Sequence, residues 1–219
     1  GSTSLGSVHN VFIGHESGGG TWANDESNYN VGIGSYTMDA ALDGAVNNVA
    51  VGSTALSAIT TSGNNVAVGY EAGKALTTGD SNVVIGSGAA DTVTTMANST
   101  VIGQNAMTSV PASQAVTGVV AIGKNALEGT SSTTNSINYT VAVGYEACSA
   151  LTIGAANTSV GFRALKLNAQ GSYNTAVGYE ALTTFVADTQ NHGDNTAVGY
   201  LSGKFVSTGT QNTFLGYNS

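Results

Sequence analysis

The sequence predicts an all-β protein built as a parallel β-roll or β-solenoid of about 12 rungs. One glycine recurs along the whole chain with a basic period of 17 residues and occasional insertions of one to four. The residue three positions before it (−3) is β-branched, and the residue directly before it (−1) is aliphatic, in all twelve copies. We call these the motif glycines: Gly14, Gly34, Gly52, Gly69, Gly86, Gly103, Gly123, Gly144, Gly161, Gly178, Gly199 and Gly216.

The segment that ends at each motif glycine has the pattern of a short β-strand. In one copy, Val66 and Val68 share one face and Ala67 points to the other, because side chains alternate along a strand. The residue at −2 is mostly small, so we expect another surface to pack closely against that face. The motif glycine then provides the backbone freedom for a corner, where the strand ends.

A second arm follows the corner in each unit. It carries a small residue at +3 and an apolar residue near +7, as in Ala55 with Ile59 and Ala72 with Leu76. This spacing allows either a second short strand or a single helical turn. We expect the strand, since a 17-residue unit must also hold two polar turns, such as Thr77 to Ser81.

Asparagine stands at position −4 in nine copies of the unit. Stacked units place these side chains above one another, so each amide is expected to bond to the next, as in other stacked β structures. A row of ligand-binding amides is the functional alternative. The predicted structural ladder comprises Asn10, Asn30, Asn48, Asn65, Asn82, Asn157, Asn174, Asn195 and Asn212.

One chain of this pattern is expected to need partners. Each unit has few large apolar side chains for the number of residues it orders, and a thin roll would leave its alanine face wet. A symmetric homo-oligomer would bury the same face in every copy. The candidate trimer-interface residues are therefore the alanines at −2: Ala50, Ala67, Ala121, Ala142, Ala176 and Ala197.

Composition limits the partners. Five basic and thirteen acidic residues give a net charge of −8, which argues against binding to nucleic acid or to an anionic membrane. No apolar stretch approaches the ~20 residues that span a bilayer, so no direct membrane insertion is expected.

The single cysteine, Cys148, excludes an intrachain disulfide and is expected to be a small buried side chain. Residues 1–8 are expected to be a cloning scar or an N-terminal cap, and residues 9–219 a single β-solenoid repeat domain.

The repeats also resemble a known family. The stretches Asn65–Ala72 (NVAVGYEA) and Asn174–Leu182 (NTAVGYEAL) resemble the head repeats of YadA-like trimeric autotransporter adhesins and are similar to repeats of bacteriophage tail fibres. The resemblance covers about residues 9 to 217. It implies a left-handed parallel β-roll with three chains around one axis, at the cell-facing end of a fibre. The units here are longer than those of the adhesin heads, so each is expected to have a longer turn.

No catalytic constellation is present in the sequence. The three histidines have no serine or cysteine nucleophile placed near them by spacing, so we expect no enzyme activity, no cofactor and no metal. Asp188, His192 and Asp194 cluster in one inserted segment and have the composition of half a metal site. We expect a solvated polar loop there instead.

Recognition is expected in the inserted segments, because extra residues in a solenoid form loops. These segments are residues 16–28, 108–117, 128–138 and 186–194. The sole tryptophan, Trp22, is either an end cap of the roll or an exposed receptor anchor. The candidate receptor-binding residues are Trp22, Asn24, Asp25, His192 and Asp194.

Two further rows of side chains follow the motif glycine. Aromatic residues at +1 suit either packing between units or stacking on a carbohydrate. Glu146, Arg163 and Glu180 at +2 are expected to form a ladder of alternating charge. The aromatic row comprises Tyr70, Tyr145, Phe162, Tyr179, Tyr200 and Tyr217.

These features favour a non-enzymatic, homotrimeric segment of an extracellular fibre that binds a host-cell surface receptor, with a glycan among the candidate ligands. A phage tail fibre or receptor-binding protein on the virion is the first hypothesis. The alternative is the head of a bacterial trimeric autotransporter adhesin on the outer-membrane surface. Less favoured are a carbohydrate-active β-solenoid enzyme and an ice-binding solenoid. The ice-binding class is disfavoured because the threonines at −3 are expected to face inward.

Overall fold

The computed structural model describes residues 6–22, 25–129, 137–187 and 193–219, and it confirms an all-β solenoid without helix in those residues. Each strand has three residues, and twelve strands form one parallel sheet in the order β1-β2-β3-β4-β5-β7-β9-β10-β11-β12-β13-β14, while β6 and β8 pair separately. The strands are β1 (Val11–Ile13), β2 (Val31–Ile33), β3 (Val49–Val51), β4 (Val66–Val68), β5 (Val83–Ile85), β6 (Thr95–Ala97), β7 (Thr100–Ile102), β8 (Ala115–Thr117), β9 (Val120–Ile122), β10 (Val141–Val143), β11 (Thr158–Val160), β12 (Thr175–Val177), β13 (Thr196–Val198) and β14 (Thr213–Leu215).

Neighbouring strands of the main sheet pair with the same register at every step. Between β3 and β4, for example, Val49 lies beside Val66 and Ala50 beside Ala67. Each motif position therefore forms a column along the axis of the solenoid. The stack makes about 11 turns with a period of ~18 residues. At about 4.8 Å per strand, the sheet is roughly 53 Å long.

The motif glycines are required at the corner for two reasons. Their φ angles lie between +118° and +139°, a region that residues with a side chain rarely adopt. The stacking is also too close for a Cβ atom, which at Gly69 would lie 2.6 Å from the carbonyl oxygen of Gly86. The repeated glycine is thus a consequence of both the turn and the stack.

The expectation of a second strand after the corner is wrong for most turns of the solenoid. That arm is a chain of tight turns, with left-handed backbone at +2 and +4, as at Glu71 (φ 57°) and Leu56 (φ 49°). Among the described residues, a regular second sheet forms only where β6 pairs with β8. Two left-handed residues in close succession curve the arm too sharply for an extended strand.

The main strands turn their alanine face inward, so the predicted trimer interface is wrong. The predicted interface alanines are fully buried inside a single chain. The second arm fills the interior with large side chains such as Leu56 and Ile59, which leaves room only for a small residue opposite them. The buried alanines present no surface to a partner: Ala50, Ala67, Ala121, Ala142, Ala176 and Ala197.

Aromatic residues close the interior at both ends of the stack. Phe12 and Phe214 occupy the −2 position, where alanine is common in the middle turns. Gly32 makes room for the Phe12 ring, since a Cβ atom there would lie 2.6 Å from it. Trp22 packs edge-on against Phe12 with ring centroids 5.6 Å apart, and this pair covers the first turn.

Candidate interaction surfaces

A ladder of asparagine amides runs inside the solenoid along position −4. The Asn65 side chain donates from Nδ2 to Oδ1 of Asn48 at 3.0 Å and to the carbonyl oxygen of Gly79 at 3.0 Å. Its own Oδ1 accepts the backbone N–H of Asn82 at 3.1 Å and Nδ2 of Asn82 at 2.9 Å. Each such amide therefore joins one turn of the solenoid to the next. It also bonds to a backbone carbonyl in the polar turn that precedes the next strand. These buried groups are used by the structure and are not open to a ligand.

The ladder is interrupted in the middle of the chain. Position −4 is Ser99, Val119 and Thr140 in three successive turns, and the amide bonds resume between Asn157 and Asn174. Ser99 substitutes in part, since its Oγ accepts the backbone N–H of Val119 at 3.1 Å. Thr140 does not, because its buried Oγ1 has no hydrogen-bond partner among the described residues.

The outer face of the main sheet is an uncharged strip. We define the aliphatic strip as the columns at −3 and −1, which contain only Val, Ile, Leu and Thr in all twelve strands. Its side chains point away from the interior, and Ile33 in the second strand is 39% exposed. The last four strands place threonine at −3, also on this outer face, so the expectation that these threonines point inward is wrong.

Five aromatic rings of the +1 column stack directly on one another near the C-terminal end. Neighbouring ring centroids are 4.9–5.5 Å apart and the planes lie within 10–19° of parallel. Rings this close leave no room for a sugar between them, so a ligand can stack only on the outer faces of the two end rings, of which Tyr217 is 78% exposed and Tyr145 40%. The row comprises Tyr145, Phe162, Tyr179, Tyr200 and Tyr217.

Ion pairs flank this aromatic row. Oε2 of Glu146 lies 2.8 Å from Nε of Arg163 and 2.7 Å from Nζ of Lys166. The hydrogen bonds from Lys166 and then Arg163 hold the pKa of Glu146 at about 2, below its ordinary value of 4.5, although burial opposes the shift. Glu180 pairs with Lys204 instead of extending the predicted ladder. Both lysines lie at +5, outside the column of alternating charge at +2, so the charge pattern of that column does not reveal them.

A groove of about 520 Å³ opens beside the inserted segment that carries the only proline. Two of its lining residues are bonded to each other, since Oγ1 of Thr108 donates to Oδ1 of Asp91 at 2.8 Å. The groove combines small apolar side chains with hydroxyl groups and one carboxylate. It is lined by Ala75, Asp91, Thr92, Thr108, Ser109, Val110, Pro111 and Ala112.

The predicted receptor-binding residues do not form one site. Trp22 is only 9% exposed, and its indole N–H donates to the carbonyl oxygen of Gly18 at 3.1 Å, so it is placed as an end cap and not as an exposed anchor. Asp25 and Asp194 are both exposed, near opposite ends of the stack. Asn24 and His192 lie outside the described residues.

Reactive side chains are sparse in the part of the chain that the structure describes. Full burial raises the pKa of the Cys148 thiol to about 12, so the thiol stays protonated at neutral pH. No three His, Cys, Asp or Glu side chains converge within residues 6–22, 25–129, 137–187 and 193–219. None of those residues belongs to a helix that could cross a membrane.

Comparisons with known proteins do not add a relative. The chain matches no protein-family model, no curated protein and no solved structure. Function has to be inferred from the surfaces described above.

Proposed function

We propose that this chain is a non-enzymatic, homotrimeric segment of an extracellular fibre that binds a host-cell surface, as a phage tail fibre or receptor-binding protein. The left-handed β-roll with three chains around one axis, which the resemblance implies, belongs to the same proposal. The aliphatic strip is the observation that carries it.

The strip supports lateral association of identical chains. It runs along the whole sheet without a charged residue, and its −1 column is aliphatic in every strand. Monomeric soluble proteins rarely expose large contiguous apolar patches. Three copies around one axis bury the same strip on each chain, as closed symmetry requires. The interface predicted for the alanine face is thereby moved to the opposite face of the strand.

The groove is the candidate receptor site under this proposal. Its lining residues belong to the second arm and its inserted segment, and that arm lies across the core from the sheet. A trimer formed through the strip leaves the groove accessible. Hydroxyl groups, the Asp91 carboxylate and the apolar ring of Pro111 suit a hydroxylated ligand with apolar C–H faces, such as a surface glycan.

A charge placed in the strip tests the trimer. Val143 is a partly exposed strip residue in β10, so Val143→Asp should leave the solenoid folded but reduce the mass in sedimentation equilibrium from three chains to one. Ser113→Asp, in an exposed loop, is the matched control and should remain trimeric. A folded monomer of the unaltered chain at micromolar concentration would overturn the trimer.

Adhesion is tested separately with fluorescently labelled trimer and a panel of bacterial strains. Ser109→Trp fills the groove and should abolish binding to the strain that the unaltered protein recognises, with the trimer intact. Ser113→Trp adds the same ring nearby without lining the groove, so it should still bind. Absence of binding to every strain contradicts adhesion, and unchanged binding by Ser109→Trp contradicts the groove.

A further inference from the structure

The groove beside the inserted segment is held in shape by its own hydrogen bonds. Oγ1 of Thr92 donates to the carbonyl oxygens of Thr108 and Val110, both at 2.8 Å. The Thr108 hydroxyl in turn donates to Oδ1 of Asp91 at 2.8 Å. Three successive turns of the solenoid contribute lining residues, so the groove extends along the rod axis. Because the walls are formed before a ligand binds, less entropy is lost on binding.

The side chains that line this groove offer mainly hydrogen-bond acceptors. The hydroxyl protons of Thr92 and Thr108 are already donated within the wall. Oδ2 of Asp91 and Oγ of Ser109 make no hydrogen bond with the residues that the structure describes. Ser109 is thus the one lining side chain whose proton is free for a ligand. An anionic ligand would meet a single side-chain donor here and a carboxylate that repels it.

The Asp91 carboxylate has no ion-pair partner within the described residues, and it is the only charged group that lines the groove. Lys74 holds the same position one turn earlier, but its ammonium group lies 2.8 Å from Oε1 of Glu71. The hydrogen bond to Glu71 is the largest cause of the raised pKa of Lys74, and the charge of Asp91 is the smallest. The positive charge of Lys74 is therefore directed to Glu71.

A second carboxylate adds to the negative field at the groove. Glu128 lies at +5 in the turn after Thr108, and its carbonyl oxygen accepts the backbone N–H of Ser109 at 2.8 Å. In the turns from Gly69 to Gly123, the +2 and +5 columns hold three carboxylates and one ammonium group, an excess of two negative charges: Glu71, Asp91 and Glu128 against Lys74. A cleft with one sign of charge attracts ligands of the opposite sign.

The remaining lining is apolar and suits the C–H face of a sugar ring. Ala75, Val110, Pro111 and Ala112 supply this part of the surface. The volume of about 520 Å³ lies within the roughly 300–1,000 Å³ of small-ligand sites. An amine fixed on a sugar ring also loses less conformational entropy than the ammonium group at the tip of a lysine side chain. These features favour an amino sugar over a basic peptide.

We propose that the groove binds a glycan with free amino groups, a hexosamine chain without N-acetylation, whose ammonium group pairs with Oδ2 of Asp91. The Ser109 hydroxyl donates to a sugar oxygen, and the sugar rings lie on Pro111 and Ala112. This inference rests on the proposed function, because it names the class of receptor for the same groove. Acidic glycans and fully N-acetylated glycans lack the group that Asp91 selects.

Two isosteric variants test the charge. Asp91→Asn removes the negative charge and keeps an oxygen that accepts the Thr108 hydroxyl. Asp80→Asn makes the same change in the polar turn before Gly86, outside the groove. Oδ1 of Asp80 accepts the backbone N–H of Gly63 at 2.7 Å, and asparagine keeps that acceptor as well. Asp80→Asn is therefore the matched control for loss of one surface charge.

Isothermal titration calorimetry of the whole chain with a β-linked glucosamine oligosaccharide is the measurement. The unaltered chain and Asp80→Asn should bind it, with an affinity that falls as salt is added. Asp91→Asn should bind it about tenfold or more weakly, because a hydrogen bond to a charged group is lost. The fully N-acetylated oligosaccharide of equal length should show the same loss with the unaltered chain, and a uronic acid oligosaccharide should not bind.

Equal affinity for the free and the N-acetylated oligosaccharides, or for the unaltered chain and Asp91→Asn, overturns the selection of an amine. Binding of oligolysine without binding of the glucosamine oligosaccharide overturns the glycan in favour of a basic peptide. Adhesion to a bacterial strain that Ser109→Trp abolishes, without binding of the glucosamine oligosaccharide, overturns this inference and leaves the proposed function in place. Absence of adhesion by the unaltered chain overturns the proposed function instead, so the two failures are distinguishable.

Discussion

At the scale of single residues, the asparagine at −4 has every polar group of its side chain bonded. Asn65 is 1% exposed, and its amide takes part in four hydrogen bonds with Asn48, Gly79 and Asn82. Removal of the amide should destabilise the fold, because its partner groups would stay buried without a hydrogen bond.

We therefore expect Asn65→Ala to reduce the free energy of unfolding by on the order of 3 kcal/mol, since each unpaired buried group costs about 1–3 kcal/mol. The melting temperature at a fixed protein concentration is the measurement. Asn64→Gly alters the neighbouring exposed residue and keeps its left-handed backbone accessible, so it is the control. Equal effects of the two substitutions would argue against an energetic role of the ladder.

Sequence reasoning could place the asparagines but not the alanines. A polar residue that recurs at one position of a stacked unit has few partners other than its own copies, so the ladder follows from the period. Ala67 between Val66 and Val68 fits either face of a strand. Its true direction depends on how much volume Leu56 and Ile59 supply from the second arm, which the local pattern does not contain.

At the scale of elements, the main strands were predictable and the second arm was not. β-branched residues at −3 and aliphatic residues at −1 favour extended backbone before a glycine corner. The left-handed residues of the second arm are ordinary types such as Glu71 and Leu56, which have no local signature for that conformation. The arm is held by stacking on its copies, a contact between turns that no single unit reveals.

Repair of the interrupted ladder should stabilise the middle of the stack. In Thr140→Asn, a new amide replaces an unpaired buried hydroxyl and lies beside Asn157 of the next turn. We expect the free energy of unfolding to increase by about 1–2 kcal/mol. Urea denaturation is the measurement, and Thr140→Val, which only deletes the hydroxyl, is the control. A gain from valine as large as that from asparagine would show that the new amide adds nothing.

The Glu146 cluster should make stability depend on pH. Because its pKa falls from 4.5 to about 2 on folding, the ionised carboxyl stabilises the fold above pH 4.5 and loses that effect as the pH falls toward 2. Glu146→Gln should lower the melting temperature at pH 7, with a smaller difference at pH 3.

Glu128→Gln, at a carboxyl without an ion pair in the described residues, is the control for that series. It should shift the melting temperature little at either pH. A Glu146→Gln effect that is the same at pH 7 and pH 3 would contradict a role for the ionised carboxyl.

At the scale of the whole molecule, contacts connect each turn only with its neighbours, so stability is close to a sum over turns and their interfaces. The strand count of the main sheet followed from the sequence, because twelve motif glycines specify its twelve strands, which stack in about 11 turns. The face proposed to meet other chains did not, since it depends on which side of the strand is left outside. The proposed association surface therefore emerged only from the assembled stack.

The gap in the amide ladder from Ser99 to Thr140 has a mechanical consequence for such a rod. Under the proposed function such a rod carries tension between a particle and a surface, and a stack of unequal joints extends first at its weakest one. We expect a single chain pulled from its termini in optical tweezers to lengthen first near these turns, while the flanking halves resist to higher force. Thr140→Asn should raise the force of that first event. A rod that instead unravels from one tip would show that the central turns are as strong as the rest.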